Sequence, residues 1–113
     1  MSFKSNLINI VLVETSHPGN IGSVARAMKT MGLSNLSLVN PRKFPSGEAN
    51  ALSGNAGDVL ENAQIFDSID EAIKDSTFVY ATSSRSRTIQ WPTVHAEEGA
   101  SLINTQITSD KKV

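Results

Sequence analysis

At 113 residues and 39% hydrophobic content, the chain has room for one small domain with its own core and not for two. Without cysteine it can form neither disulfides nor thiolate metal sites, and its two histidines stand far apart in sequence, so no metal centre is expected. The net charge of -1 argues neither for nor against a polyanionic partner until the charges are placed along the chain.

Residues 1–6, Met-Ser-Phe-Lys-Ser-Asn, lack the apolar core of a signal peptide, and no apolar run approaches the length of a membrane span. A soluble, cytoplasmic protein with no membrane partner is therefore expected. The first strand is expected at residues 9–13, Asn-Ile-Val-Leu-Val, a β-branched run suited to burial on both faces of a parallel sheet. A helix follows from about Asn20, a residue type favoured as N-cap, with Ile21, Val24, Ala25, Met28 and Met31 forming one apolar stripe and Gly32 supplying the stop. Gly22, Ser23, Arg26 and Lys29 take the opposite face. Helical side chains lean toward the N-terminus, so Arg26 is expected to reach over Gly22 toward the loop. A helix start beside that cation would attract a phosphate, because its first N–H groups lack partners and the dipole is positive there. The same residues also fit a plain tight turn with a solvated helix arginine.

Residues 36–39 read as a second strand, stopped by Asn40-Pro41, which makes a right-handed βαβ unit with parallel strands. Residues 48–63 read as helix, weakened by Gly54 and Gly57, which can split it in two. A minimal third strand at 64–66 leads into Ser68-Ile69-Asp70-Glu71, a capping-box pattern that opens a short helix. A fourth strand is expected at 77–81, running into the hydroxyl and guanidinium cluster of residues 82–88. Trp91 is expected to pack against the sheet rather than stack on a base. Residues 96–106 suit a last amphipathic helix, and residues 107–113 are expected to fray.

The fold class expected is α/β, a Rossmann-like open parallel sheet with flanking helices. In such a sheet ligands sit beyond the carboxyl ends of the strands. Those ends lead into loops 14–20, 40–43 and 82–87, and the cations Arg26, Lys29, Arg42, Lys43, Arg85 and Arg87 lie in or beside segments that follow strands. The acids Glu48, Asp58, Glu61, Asp67, Asp70, Glu71 and Asp75, by contrast, are accompanied only by Lys74. A basic edge facing a nucleotide or nucleic acid is one reading of this polarity; ordinary solvated helix faces are the other.

Residues 12–32, the Leu38-Val39-Asn40-Pro41 segment and residues 81–87 together resemble the SPOUT superfamily of trefoil-knotted methyltransferases. Within it they are similar to bacterial enzymes that methylate the ribose 2′-hydroxyl of cytidine or uridine 32 in the tRNA anticodon loop. The resemblance runs to about Trp91-Pro92. It implies S-adenosyl-L-methionine as cofactor, tRNA as partner and a homodimer in the full-length protein. By position in the Asn-x-Gly-x-x-x-Arg element, it makes Arg26 the catalytic arginine, with Asn20 holding it or the substrate. Thr82, Ser83 and Ser84 would contact the cofactor, and Ser16, His17, Lys29, Arg85 and Arg87 the RNA. The knot and the later loop that complete the family's cofactor pocket lie beyond the region matched. The chain is therefore expected to be the N-terminal part of such an enzyme and inactive alone; a non-catalytic nucleotide- or RNA-binding module is the alternative.

Overall fold

The computed structural model describes residues 4–82 and 93–113. A single 3-10 turn, Ser5–Leu7, leads into β1, Asn9–Val13. Strand β1 pairs in parallel with β2, Asn35–Val39, which pairs in parallel with β3, Gln64–Phe66, giving the order β1-β2-β3. Four consecutive residues of the central strand, Leu36, Ser37, Leu38 and Val39, are buried, as expected of a strand covered on both faces. The expected open parallel sheet with flanking helices is present.

Helix α1 spans Pro18–Thr30 and begins earlier than expected. His17 is its N-cap and Pro18 takes the first helical position, where a missing N–H costs nothing and the fixed φ already suits the helix. Asn20 therefore lies inside the first turn rather than capping it. The far end closes as a Schellman motif: Gly32 has φ +75°, its N–H donates to the Lys29 carbonyl at 3.2 Å, and the Leu33 N–H donates to the Met28 carbonyl at 2.8 Å. The stripe Ile21, Ala25 and Met28 is buried against Leu36 and Leu38, with Val24 partly buried beside it. Met31, the C-cap, falls outside the stripe and is 67% exposed.

The expected long helix is two short ones, α2 (Gly47–Leu52) and α3 (Gly57–Glu61), separated at Gly54, whose φ of +59° no helix interior accommodates. Ser46 caps α2 by accepting from the Glu48 N–H at 3.2 Å, and Ser68 caps α4 (Ile69–Ile73) by accepting from the Glu71 N–H at 3.2 Å. Ala49, Ala56, Val59 and Leu60 carry α2 and α3 into the core formed with α1. Helix α5, Ala96–Thr108, buries Ile107, and its Gln106 accepts a hydrogen bond from the Tyr80 hydroxyl at 2.9 Å.

Gly22, placed by sequence on the open face of α1, is buried instead. A Cβ there would fall on the Ala49 carbonyl oxygen, so α1 and α2 meet backbone to backbone. The Arg26 side chain lies beside Gly54.

The expected fourth strand is not formed. The Thr77 and Phe78 N–H groups both donate to the Lys112 carbonyl, at 2.8 and 3.3 Å, while Val113 bonds to Leu7 and Asn9 at the start of β1. Residues 77–81 are thus held one strand-width away from β1, and a strand exists only through the ladder it shares with a neighbour. The terminal residues, expected to fray, carry these bonds, and Lys4 pairs with Asp110 at 2.5 Å.

Gly22→Ala is expected to destabilise the protein by about 1–3 kcal/mol through overpacking against backbone. Gly57→Ala, where an added Cβ meets nothing, is expected to be neutral or to stabilise by up to about 1 kcal/mol. Urea unfolding midpoints of the two variants would check the contrast.

Candidate functional site

The carboxyl ends of the three strands are laced together. The Glu14 N–H donates to the Val39 carbonyl at 2.7 Å, Arg42 N–H to Thr15 at 3.4 Å, and Asn40 N–H to Phe66 at 3.0 Å. The Asn40 side chain donates to the Asp67 carbonyl at 2.9 Å. Glu14 and Asn40 adopt φ of 51° and 46°, turning the chain sharply as it leaves β1 and β2. Two of the three expected loops are therefore brought together, with Ser16, His17 and Arg42 exposed at that edge. Of the third, Thr82 is described: it is exposed and its hydroxyl makes no hydrogen bond among the described residues. Ser83, Ser84, Arg85, Arg87 and Trp91 lie outside the described residues.

The start of α1 is less open to a phosphate than the sequence suggests. Pro18 has no N–H, the Asn20 N–H already donates to the His17 carbonyl at 3.0 Å, and Gly19 is buried. A Cβ on Gly19 would meet Leu52 Cδ1 at 2.8 Å and Glu48 Oε1 at 3.3 Å. The Glu48 carboxylate, also 3.8 Å from His17 Nδ1, thus occupies the place where an external anion was expected, and the helix dipole favours it there. The Asn20 side chain is exposed and makes no hydrogen bond among the described residues.

Arg26 lies about 12 Å along α1 from Pro18 at the usual rise per residue. It does not share one cluster with Ser16 and His17. Its side chain crosses the elbow between α2 and α3: a Cβ on Gly54 would sit 3.9 Å from Arg26 Cδ and 4.0 Å from Nε. Its guanidinium makes no ion pair or hydrogen bond among the described residues. Lys29, one turn on, is in a different state, since its Nζ is 2.8 Å from Asp58 Oδ2. That hydrogen bond and charge hold the Asp58 carboxyl below the usual aspartate range against the desolvation that opposes them. Of the two cations on this helix, Arg26 is the one whose donors remain available to a ligand. An open groove of about 960 Å³ adjoins the elbow, with Lys29, Phe44, Asn50, Gly54, Asn55 and Asp58 among its lining residues.

Two contributors escaped the sequence reading. Gly54 counted only as a helix breaker, although it is the floor over which Arg26 lies, and Glu48 only as one of an acidic run. A positive-φ glycine is signalled by the Leu52-Ser53-Gly54-Asn55 turn; which side chain crosses it is not.

A profile of the SpoU rRNA Methylase family matches residues 7–103. The chain belongs to the SpoU rRNA Methylase family. Among members similar to it is the tRNA (cytidine/uridine-2′-O-)-methyltransferase TrmJ of Salmonella typhimurium, 59% identical over 91 residues that make up 80% of this chain and 37% of that protein. The protein of the same name from Sodalis glossinidius is 57% identical over 91 residues, 36% of its length. The chain thus spans little more than a third of these SpoU family relatives. Among solved structures, TrmJ from Z. mobilis ZM4 superposes with a TM-score of 0.83 at 38% identity, covering 87% of this chain and 44% of that one. A structure from Neisseria gonorrhoeae described as a methylase family protein reaches 0.88 at 34% identity, covering 100% of this chain and 62% of that one. The three-stranded parallel sheet with flanking helices is therefore a SpoU family fold.

Asp58 has a depressed pKa, so its pairing with Lys29 contributes to stability above the ordinary carboxylate pKa and is lost as pH falls through the folded value. Lys29→Ala is expected to move the Asp58 titration up toward the ordinary aspartate value. Side-chain carboxyl carbon shifts followed from neutral to acid pH would show it.

Proposed function

We propose that this chain supplies the arginine-bearing N-terminal part of a tRNA 2′-O-methyltransferase that uses S-adenosyl-L-methionine. Its target is the ribose of cytidine or uridine 32 in the anticodon loop. The observation that carries the reading is the guanidinium of Arg26, unpaired among the described residues and held across Gly54 in a chain 59% identical to a TrmJ protein over 80% of the present sequence.

The chemistry explains why an unpaired arginine suits the task. A ribose hydroxyl is a weak nucleophile, and it becomes effective only when its oxygen is aligned with the methyl group to be accepted. Bound S-adenosyl-L-methionine supplies that methyl group in electrophilic form. A guanidinium is a poor proton acceptor, so the part of Arg26 is to stabilise negative charge developing on the ribose oxygen and to orient the adjacent phosphate, not to remove the proton. Asn20 orients the same substrate from the first turn of α1. Thr82, whose hydroxyl has no partner among the described residues, fits a polar contact to the cofactor, and Ser83 and Ser84 extend that contact. Ser16, His17, Lys29, Arg85 and Arg87 are assigned to the RNA backbone, with Lys29 contributing least because Asp58 already holds it. The cytoplasm and a homodimer of the longer protein complete the reading. The 113-residue chain by itself is expected to bind the cofactor weakly or not at all and to transfer no methyl groups.

The test is a chimera in which these residues replace the matching 91 of the Salmonella protein. The chimera should methylate unmodified tRNA. Arg26→Ala in that background should lower kcat by about 100-fold or more, with tRNA affinity changed by less than about twofold. If affinity falls as far as turnover, with a shallower salt dependence, Arg26 is a phosphate ligand of a binding module and its catalytic assignment is wrong. Methyl transfer by the 113-residue chain alone would overturn the expectation that it is inactive.

A further inference from the structure

The groove beside the α2–α3 elbow reaches Ile65 of β3, at the opposite edge of the sheet from β1 and the Val113 bonded to it. Ile65, which is 55% exposed, and the half-buried Phe44 give the groove an apolar wall. Walls of this kind take the flat face of a nucleobase.

The polar part of the lining separates what can enter from what cannot. Asp58 is answered by Lys29 at 2.8 Å, whereas Glu61 makes no ion pair among the described residues, so the groove itself carries negative charge. A phosphate is repelled there, and a neutral base is not. Asn50 and Asn55 are exposed on the same lining, and their side-chain amides make no hydrogen bond among the described residues. An amide offers both an acceptor and donors and can turn over. It therefore matches the donor–acceptor edge of cytosine or the reversed edge of uracil.

Gly54 belongs to this groove and to the arginine site alike. It lines the groove, and a Cβ on it would sit 3.9 Å from Arg26 Cδ. A nucleotide whose ribose and phosphate meet Arg26 thus has its base within reach of the apolar wall. We infer that the groove receives the pyrimidine base of that nucleotide, with the amides of Asn50 and Asn55 pairing to its Watson–Crick edge and accepting cytosine and uracil alike. The inference rests on the reading of Arg26 given above and adds to it where the base goes and which side chains read it. The negative lining keeps the phosphate outside, at the arginine.

The first experiment needs no catalysis. The side-chain amide signals of Asn50 and Asn55 are followed by NMR in the 113-residue chain as cytidine 5′-monophosphate, uridine 5′-monophosphate or ribose 5-phosphate is added. Both nucleotides are expected to move these signals at millimolar concentration, and ribose 5-phosphate to leave them in place. Signals that move equally with ribose 5-phosphate, or with no probe, overturn the proposal, as does an equal response to adenosine 5′-monophosphate. The second experiment places Asn55→Asp, which keeps the acceptors and loses the donors, in the chimera described above. A carboxylate accepts from the cytosine amino group and opposes the uracil carbonyls, so the ratio of kcat/KM for cytidine over uridine is expected to rise by about tenfold. A ratio moved by less than about twofold overturns the part given to Asn55. An inactive chimera alongside shifted amides would sink the reaction and spare the groove; an active chimera alongside unshifted amides would do the reverse.

Discussion

The meeting of two helix backbones at Gly22 and Ala49 fixes most of what surrounds it. With no side chain between them, α1 and α2 meet backbone to backbone, where an added Cβ on Gly22 would fall on the Ala49 carbonyl oxygen, and the neighbouring contacts follow from that approach. Glu48 is carried to the start of α1, Leu52 onto Gly19, and the turn after α2 under Arg26. Farther along, α3 brings Asp58 to Lys29. A larger residue at position 22 would loosen the helix pair and, with it, the surface on which the arginine rests.

The same geometry divides the charges into those already answered within the chain and those left open. The positive end of the α1 dipole is met by Glu48, and Lys29 by Asp58, so neither asks for an external ion. Arg26 is exposed and unanswered among the described residues. Arg42 and Lys43, exposed after β2, likewise make no ion pair among the described residues, so open cations stand in a chain whose total charge is close to zero.

The fold was most legible where the signals are local. The β1–α1–β2 unit, the break at Gly54, the Ser68 cap and β3 all follow from residues within a turn or two of one another. Where the outcome depends on a distant partner, the sequence was silent or misleading. Residues 77–81 have strand composition, but strand formation needs a neighbour, and among the described residues only Lys112 bonds to their backbone. Asn20 is a good cap type, yet His17 and Pro18 start the helix first. Gly19 and Gly22 looked like loop glycines that bare a helix end, whereas their lack of a side chain serves a helix coming from elsewhere in sequence. The family resemblance located Arg26; what lies beneath it had to come from the fold.

The bonds that tie the last residues to the first strand also bear on the order in which the chain can fold. The Asn9–Ser37 contact closes a stretch of 28 residues, whereas Lys4 and Asp110 are separated by 106. Loop-closure entropy rises by about 0.6 kcal/mol for each doubling, so the longer closure costs roughly 1.2 kcal/mol more. The βαβ half can therefore assemble while later residues are still being synthesised, leaving the outer edge of β1 open until residues 112–113 arrive. For that interval the nascent protein carries an unpaired, apolar strand edge, the kind of surface that chaperones bind and that aggregation exploits.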